Sequence, residues 1–176
     1  MTQDIRDELP DTTVQAIGSS IFEQVAAWLQ ANDMNYSEKS EGRYFALRIT
    51  GEHADFQATI DAAGELPDAR LLVLAWYPVR VSEARRPAVA DLLARINRST
   101  WLGCMALDSN DGVVSVRIAL PIDDGVLTER QLEHVFYSTV NLADRYLPGV
   151  CATAFGGAVP DLAFEMGQAP AREGLQ

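Results

Sequence analysis

The stretch Arg70-Leu71-Leu72-Val73-Leu74-Ala75-Trp76-Tyr77 decides the fold. In an extended chain successive side chains point to opposite faces. Leu71, Val73 and Ala75 therefore share one face, and Leu72, Leu74 and Trp76 share the other. Both sets are apolar, which marks a strand at the centre of a sheet whose two faces each require cover.

The two segments before it alternate instead. In 43–50, Phe45, Leu47 and Ile49 alternate with Tyr44, Ala46 and Arg48. In 55–62, Phe56, Ala58 and Ile60 alternate with Gln57, Thr59 and Asp61. This is the period of strands buried on one side. Gly51-Glu52-His53 and residues 63–68 supply the turns. Further along, 101–107 and 113–120 flank Asp108-Ser109-Asn110-Asp111-Gly112, a hairpin with a turn cluster ending in Asp-Gly.

Three helices complete the pattern. Ser20 and Glu23 form a capping box before Ile21, Val25, Trp28 and Leu29, so a helix spans 21–32. Val89, Leu92, Leu93 and Ile96 form the stripe of a second over 83–98. Pro87 requires its regular part to start near Arg86 or its first turn to stand apart. Thr128 and Gln131 cap the third, with Leu127 and Leu132 as a hydrophobic staple. Its core face runs from Leu132 to Leu147, and Pro148-Gly149 is the expected stop.

The order α-β-β-β-α-β-β-α is an α+β fold, an antiparallel sheet with helices on one face. Residues 1–17 are expected to be a flexible arm, 18–159 a single domain, and 160–176 a flexible tail. Helices on one side leave the other side of the sheet bare. Leu72, Leu74 and Trp76, with Phe22 from the first helix, are the candidate surface for a homodimer partner or a protein client.

Composition narrows the function classes. The chain has 176 residues, with 14 Lys+Arg against 25 Asp+Glu and a net charge of −11. Such a field repels phosphate backbones, so neither nucleic acid nor an anionic membrane is an expected partner. No run approaches the roughly 20 apolar residues of a membrane span. The acidic start of the chain is unlike a secretory signal, and the expected location is the cytoplasm. Cys104 and Cys151 then read as free thiols. Lys39 is the sole lysine and lacks the preceding glycine of a phosphate-binding loop.

No catalytic or metal motif emerges, and neither an enzyme nor a cofactor is expected. His53 lies in a turn and His134 on a helix, and neither has a partner at metal-ligand spacing. The Asp108–Gly112 stretch brings its glycine one residue early for a calcium loop and reads as turn chemistry. Asp123-Asp124 are loop acids. Gly156-Gly157 opens no helix after a strand and suits a backbone turn instead. One local reversal of charge, from Arg80 to Arg98, carries an excess of three positive charges. Arg85, Arg95 and Arg98 are the candidates there for an anionic ligand, since guanidinium groups grip phosphate and carboxylate bidentately.

The stretch from Val79 through Ser82-Glu83-Ala84-Arg85-Arg86-Pro87 to Ile96-Asn97 resembles the middle motif of the YbjN-domain family. Gly103 before the Asp108 to Gly112 turn, Leu120-Pro121, and Asp144-Arg145-Tyr146-Leu147-Pro148 are similar to that family as well. The resemblance covers about residues 20–157. It implies a bacterial sensory-transduction regulator, a fold similar to type III secretion chaperones that commonly dimerises, and no agreed catalytic residues. Arg98-Ser99-Thr100-Trp101 departs from the aromatic residue and glycine common there. The expected function is that of a non-enzymatic, chaperone-like or regulatory homodimer that binds a polypeptide. A sensor of small anions using Arg80–Arg98 is the alternative.

Overall fold

The computed structural model describes residues 20–39, 44–63, 69–122 and 126–168. It contains α1 (Ile21–Ala31), β1 (Tyr36–Lys39), β2 (Tyr44–Thr50), β3 (Asp55–Ala63), β4 (Arg70–Arg80), α2 (Arg86–Ser99), β5 (Cys104–Leu107), β6 (Val113–Pro121), α3 (Glu129–Ala154) and α4 (Pro160–Gln168). The strands form one antiparallel sheet in the order β1-β2-β3-β4-β6-β5. β4 is central, as its two-sided apolar sequence requires. The expected arm at 1–17 lies outside the described residues.

One face of the sheet is the core. Phe45, Ile60, Leu71 and Val73 lie fully buried on it beneath α1 and the first half of α3. Phe56, Ala75, Val114 and Val116 continue it beneath α2 and the second half of α3. Both predicted capping boxes are formed, at Ser20/Glu23 and Thr128/Gln131. Leu127 and Leu132 are buried in the same cluster, as a staple demands. A separate 3₁₀ turn, Glu83–Arg85, precedes α2, which places Pro87 in the first turn of the α-helix, where its missing N–H costs nothing.

Three elements differ from the sequence reading. β1 is a sixth strand, whose four mostly exposed residues offer no alternation to detect. α3 does not stop at Pro148-Gly149 but runs through to Ala154. Pro148 removes one helical hydrogen bond, yet Leu147, Gly149 and Val150 around it are buried, and that packing carries the helix on. The helix ends at Phe155, where Gly157 at φ 70 turns the chain and the Ala158 N–H donates to the Ala152 carbonyl.

The third difference is α4. The chain was expected to fray from Pro160, but 160–168 fold back as a helix onto α2 and α3. A side chain at Gly149 would run into the Ala163 carbonyl, and one at Gly167 into the Tyr146 ring. Gly149, part of the expected stop, is thus where two helices touch. Residues 169–176 lie outside the described residues.

Candidate functional site: the open face of the sheet

The four helices among the described residues pack on one side, so alternate residues of every strand face away from them. The strand register sets these in three rows. Tyr44, Asp61, Leu72 and Ala119 form the first. Ala46, Thr59, Leu74, Arg117 and Cys104 form the second. Arg48, Gln57, Trp76, Ser115 and Ala106 form the third. Leu72, Leu74 and Trp76 are half-buried. The structure therefore brings these three candidates together in a line along the central strand. The side chain of Trp76 borders three shallow hollows on this face.

The rim of the face is polar and its charge differs from that of the chain. Lys39, Arg48, Arg70 and Arg117 stand on it against Asp55 and Asp61, on a protein of net charge −11. Arg117 Nε donates to Cys104 Sγ at 3.3 Å. One carboxylate oxygen of Asp61 is enclosed on this face with no hydrogen-bond partner. An unpaired acceptor of that kind costs about 1–3 kcal/mol.

Phe22 does not belong to this surface. Its ring stacks on Phe45 with centroids 4.3 Å apart and packs into the core on the helical side. The helical repeat of α1 identified its apolar residues, but the width of the buried stripe took in Phe22 as well.

The candidate anion-binding arginines do not converge. Arg85 donates from Nε and Nη2 to the Thr153 carbonyl, at 3.0 and 2.6 Å, and so caps the last turn of α3. Arg95 pairs with Asp91 at 3.2 Å and with Asp161 of α4. Arg98 is exposed and pairs with neither group. Of their neighbours, Arg80 meets Asp111 at 3.0 Å and Arg86 donates to the Ser109 carbonyl at 2.7 Å. These side chains tie α2 to the β5–β6 turn and to the ends of α3 and α4. That turn is held by its own aspartates, Asp108 accepting from the Asn110 N–H and Asp111 from the Val113 N–H. The Val113 N–H and then Arg80 hold the Asp111 carboxyl below its usual range.

Sequence reading missed Asp144. Its carboxylate on α3 accepts the Glu52 and His53 backbone N–H groups at 3.0 and 2.9 Å, and lies 3.3 Å from His53 Nδ1. It clamps the β2–β3 turn to the helical layer. Among the described residues, Glu52, His53 and Asp144 are the group that could hold a metal, with ligand atoms within 4.8 Å of one another. The backbone N–H groups already occupy both Asp144 oxygens, so the arrangement is first a turn cap. Asp144 stood in the quoted Asp144–Pro148 motif, but nothing in the sequence linked it to a turn 91 residues earlier.

The remaining singled-out residues are dispersed. His134 meets the Trp101 ring edge-on at 5.8 Å, and Trp101 is 83% exposed. Cys104 and Cys151 are free thiols on β5 and α3, and burial pushes the Cys151 thiol up. Asp123-Asp124 lie outside the described residues. Among those described, no helix is long and apolar enough to cross a membrane.

Comparison with known proteins supports the same architecture. The YbjN family model, described as "Putative bacterial sensory transduction regulator", matches residues 22–152. A search of the curated proteins finds no match. Among solved structures, the chain is similar to YbjN from E. coli, described as "a putative transcription regulator". The two share 21% identity and a TM-score of 0.54, over 72% of this chain and 90% of that one.

Proposed function

The chain belongs to the YbjN family, and from that premise we propose that it is a non-enzymatic regulator that acts by binding polypeptide, as a homodimer, through the open face of its sheet. The observation that carries this reading is the line of Leu72, Leu74 and Trp76 along β4, on a face that no helix covers among the described residues. Large apolar groups gathered on one exposed surface favour contact with a second apolar surface, at roughly 25 cal/mol for each Å² removed from water. The mixed rim supports a twofold partner, since Lys39 and Arg48 of one copy can meet Asp55 and Asp61 of the other. In this reading the cytoplasm is where the protein works and a polypeptide client is what it regulates.

The alternative, an anion sensor at Arg80–Arg98, has less support. Arg85 and Arg95 already hold protein acceptors, so a ligand would have to displace the Thr153 carbonyl or Asp161.

Light scattering over a dilution series tests the proposal. The wild-type chain is expected at about twice its 19.3 kDa mass, and Leu74→Asp as a monomer with an unchanged circular-dichroism spectrum. A polypeptide retained from native lysate by the wild type and lost with Leu74→Asp would identify the client. A wild type that stays monomeric at every concentration overturns the dimer.

A further inference from the structure

The helical layer holds a further feature, on the side of the molecule opposite the open sheet face. α4 lies in the trough between α2 and α3, and the way it is held is specific. Ala163 is fully buried, and its carbonyl sits against Gly149 of α3 so closely that no side chain fits between them. One turn on, Gly167 meets the Tyr146 ring in the same way. Between these two contacts Phe164 stacks on Tyr146, with centroids 6.2 Å apart and planes within 15°. Polar pins fix the ends of the helix. Asp161 pairs with Arg95, Arg145 donates to the Gly167 carbonyl, and Gln168 Nε2 donates to the Tyr146 hydroxyl at 2.6 Å.

The helix so held contributes little to the core. Of its nine residues only Ala163 and Gly167 are buried. Leu162 and Met166 point away from the trough, 60% and 47% exposed. Nine residues are too few to be helical alone in water, so α4 owes its form to the trough. It is tethered by the short link through Gly157, and it lies beyond residue 152, where the family match ends. A weakly buried helix on a short tether competes through its effective concentration, so a partner helix displaces it by fitting the trough better or once the tethered helix's own contacts are loosened.

We infer that the trough between α2 and α3 is a helix-accepting surface, filled in this chain by its own α4 and exchangeable for a partner helix of the same chemistry. That chemistry is an acidic residue in the first turn for Arg95, a small residue over Gly149, an aromatic ring for Tyr146, and a second small residue one turn later. Recognition is of the helix-in-groove kind, with the anchors on one helical face.

The test uses the full chain and a fluorescent synthetic peptide of residues 157–168, followed by anisotropy. Phe164→Ala in the chain loosens its own helix and leaves the trough intact. That variant is expected to bind the peptide about tenfold more tightly than the wild-type chain does, a difference of about 1.4 kcal/mol. Adding Gly149→Leu, which fills the floor of the trough, is expected to remove the binding. The peptide carrying Gly167→Leu gives the same readout without altering the chain, should Gly149→Leu lower the folded fraction. A folded Phe164→Ala chain that binds the peptide no more tightly than wild type overturns the inference. So does a Gly167→Leu peptide that binds as tightly as its parent.

Discussion

Val73 and Leu74 are adjacent in the chain and lie on the same strand, yet they belong to different environments. Val73 is fully buried under the helical layer, and Leu74 faces outward beside Thr59 and Arg117. The same split runs along β4. The covered positions are Leu71, Val73 and Ala75, which tolerate close approach by helices, while the open positions are Leu72, Leu74 and Trp76. Hydrophobicity alone does not separate the two faces. What separates them is whether the neighbouring strands offer apolar or polar residues on that side. β2 and β3 place Phe45, Leu47, Ala58 and Ile60 on the covered face, and Arg48, Gln57, Thr59 and Asp61 on the open one. The open face is thus an apolar line on a polar field, and the covered face is apolar throughout.

The sharpest challenge to that contrast is a charge placed on each side. Val73→Asp buries a carboxylate with no partner and is expected to cost about 4 kcal/mol or more, a large share of the roughly 5–15 kcal/mol that holds a domain folded. Leu74→Asp sets its carboxylate opposite Arg117 and is expected to cost about 1 kcal/mol or less in urea denaturation at protein concentrations low enough for the wild type to be monomeric. Similar losses for the two variants would mean that the open face is core after all.

A second, smaller effect lies where the sheet is fastened to the helices. Asp144→Ala leaves the Glu52 and His53 N–H groups without their acceptor and is expected to cost about 1–3 kcal/mol. Hydrogen exchange should rise first in the β2–β3 turn. A stability loss with no change in exchange there would remove Asp144 from its fastening role.

The smallest of the three effects is alkaline. Burial first, and then the Cys151, Asp144 and Tyr146 groups, push the Tyr77 hydroxyl well above its ordinary range. Its hydroxyl donates to the Ala143 carbonyl at 2.8 Å. Its pKa is raised in the folded state, so its contribution is complete below about pH 10, where the unfolded tyrosine ionises. That contribution is lost as pH rises further. Tyr77→Phe is expected to cost about 0.5–1.5 kcal/mol at neutral pH, and to lose less stability than the wild type between about pH 10 and 11. Parallel pH profiles for the two would place Tyr77 outside the buried layer.

How much of this was legible follows from which residues carry the signal. Strands β2, β3 and β6 and the capped starts of α1 and α3 are written in alternation and in local side-chain chemistry, which the sequence displays directly. The open line of Leu72, Leu74 and Trp76 followed from the same alternation applied to β4. β1 was invisible because Tyr36–Lys39 buries almost nothing. α4 was invisible for a different reason. Ala163 and Gly167 carry no strong apolar signal, and their smallness is what brings the helix into contact. The clustered arginines misled because charge along a sequence does not reveal which carbonyl or carboxylate each side chain reaches. Phe22 misled because the edge of a helical stripe depends on the neighbour it meets, here Phe45.

The single lysine gives the open face a practical property. Lys39 stands on the edge strand beside the hollow bordered by Leu74 and Trp76. An amine-reactive reagent therefore has one side chain to modify in the whole protein, apart from the α-amino group. A dye placed there reports on that face alone, and an amine-directed cross-linker captures whatever rests against it. Acylation of Lys39 also removes one of the four cations from the rim, so the label serves both as a marker of occupancy and as a perturbation of the surface it marks.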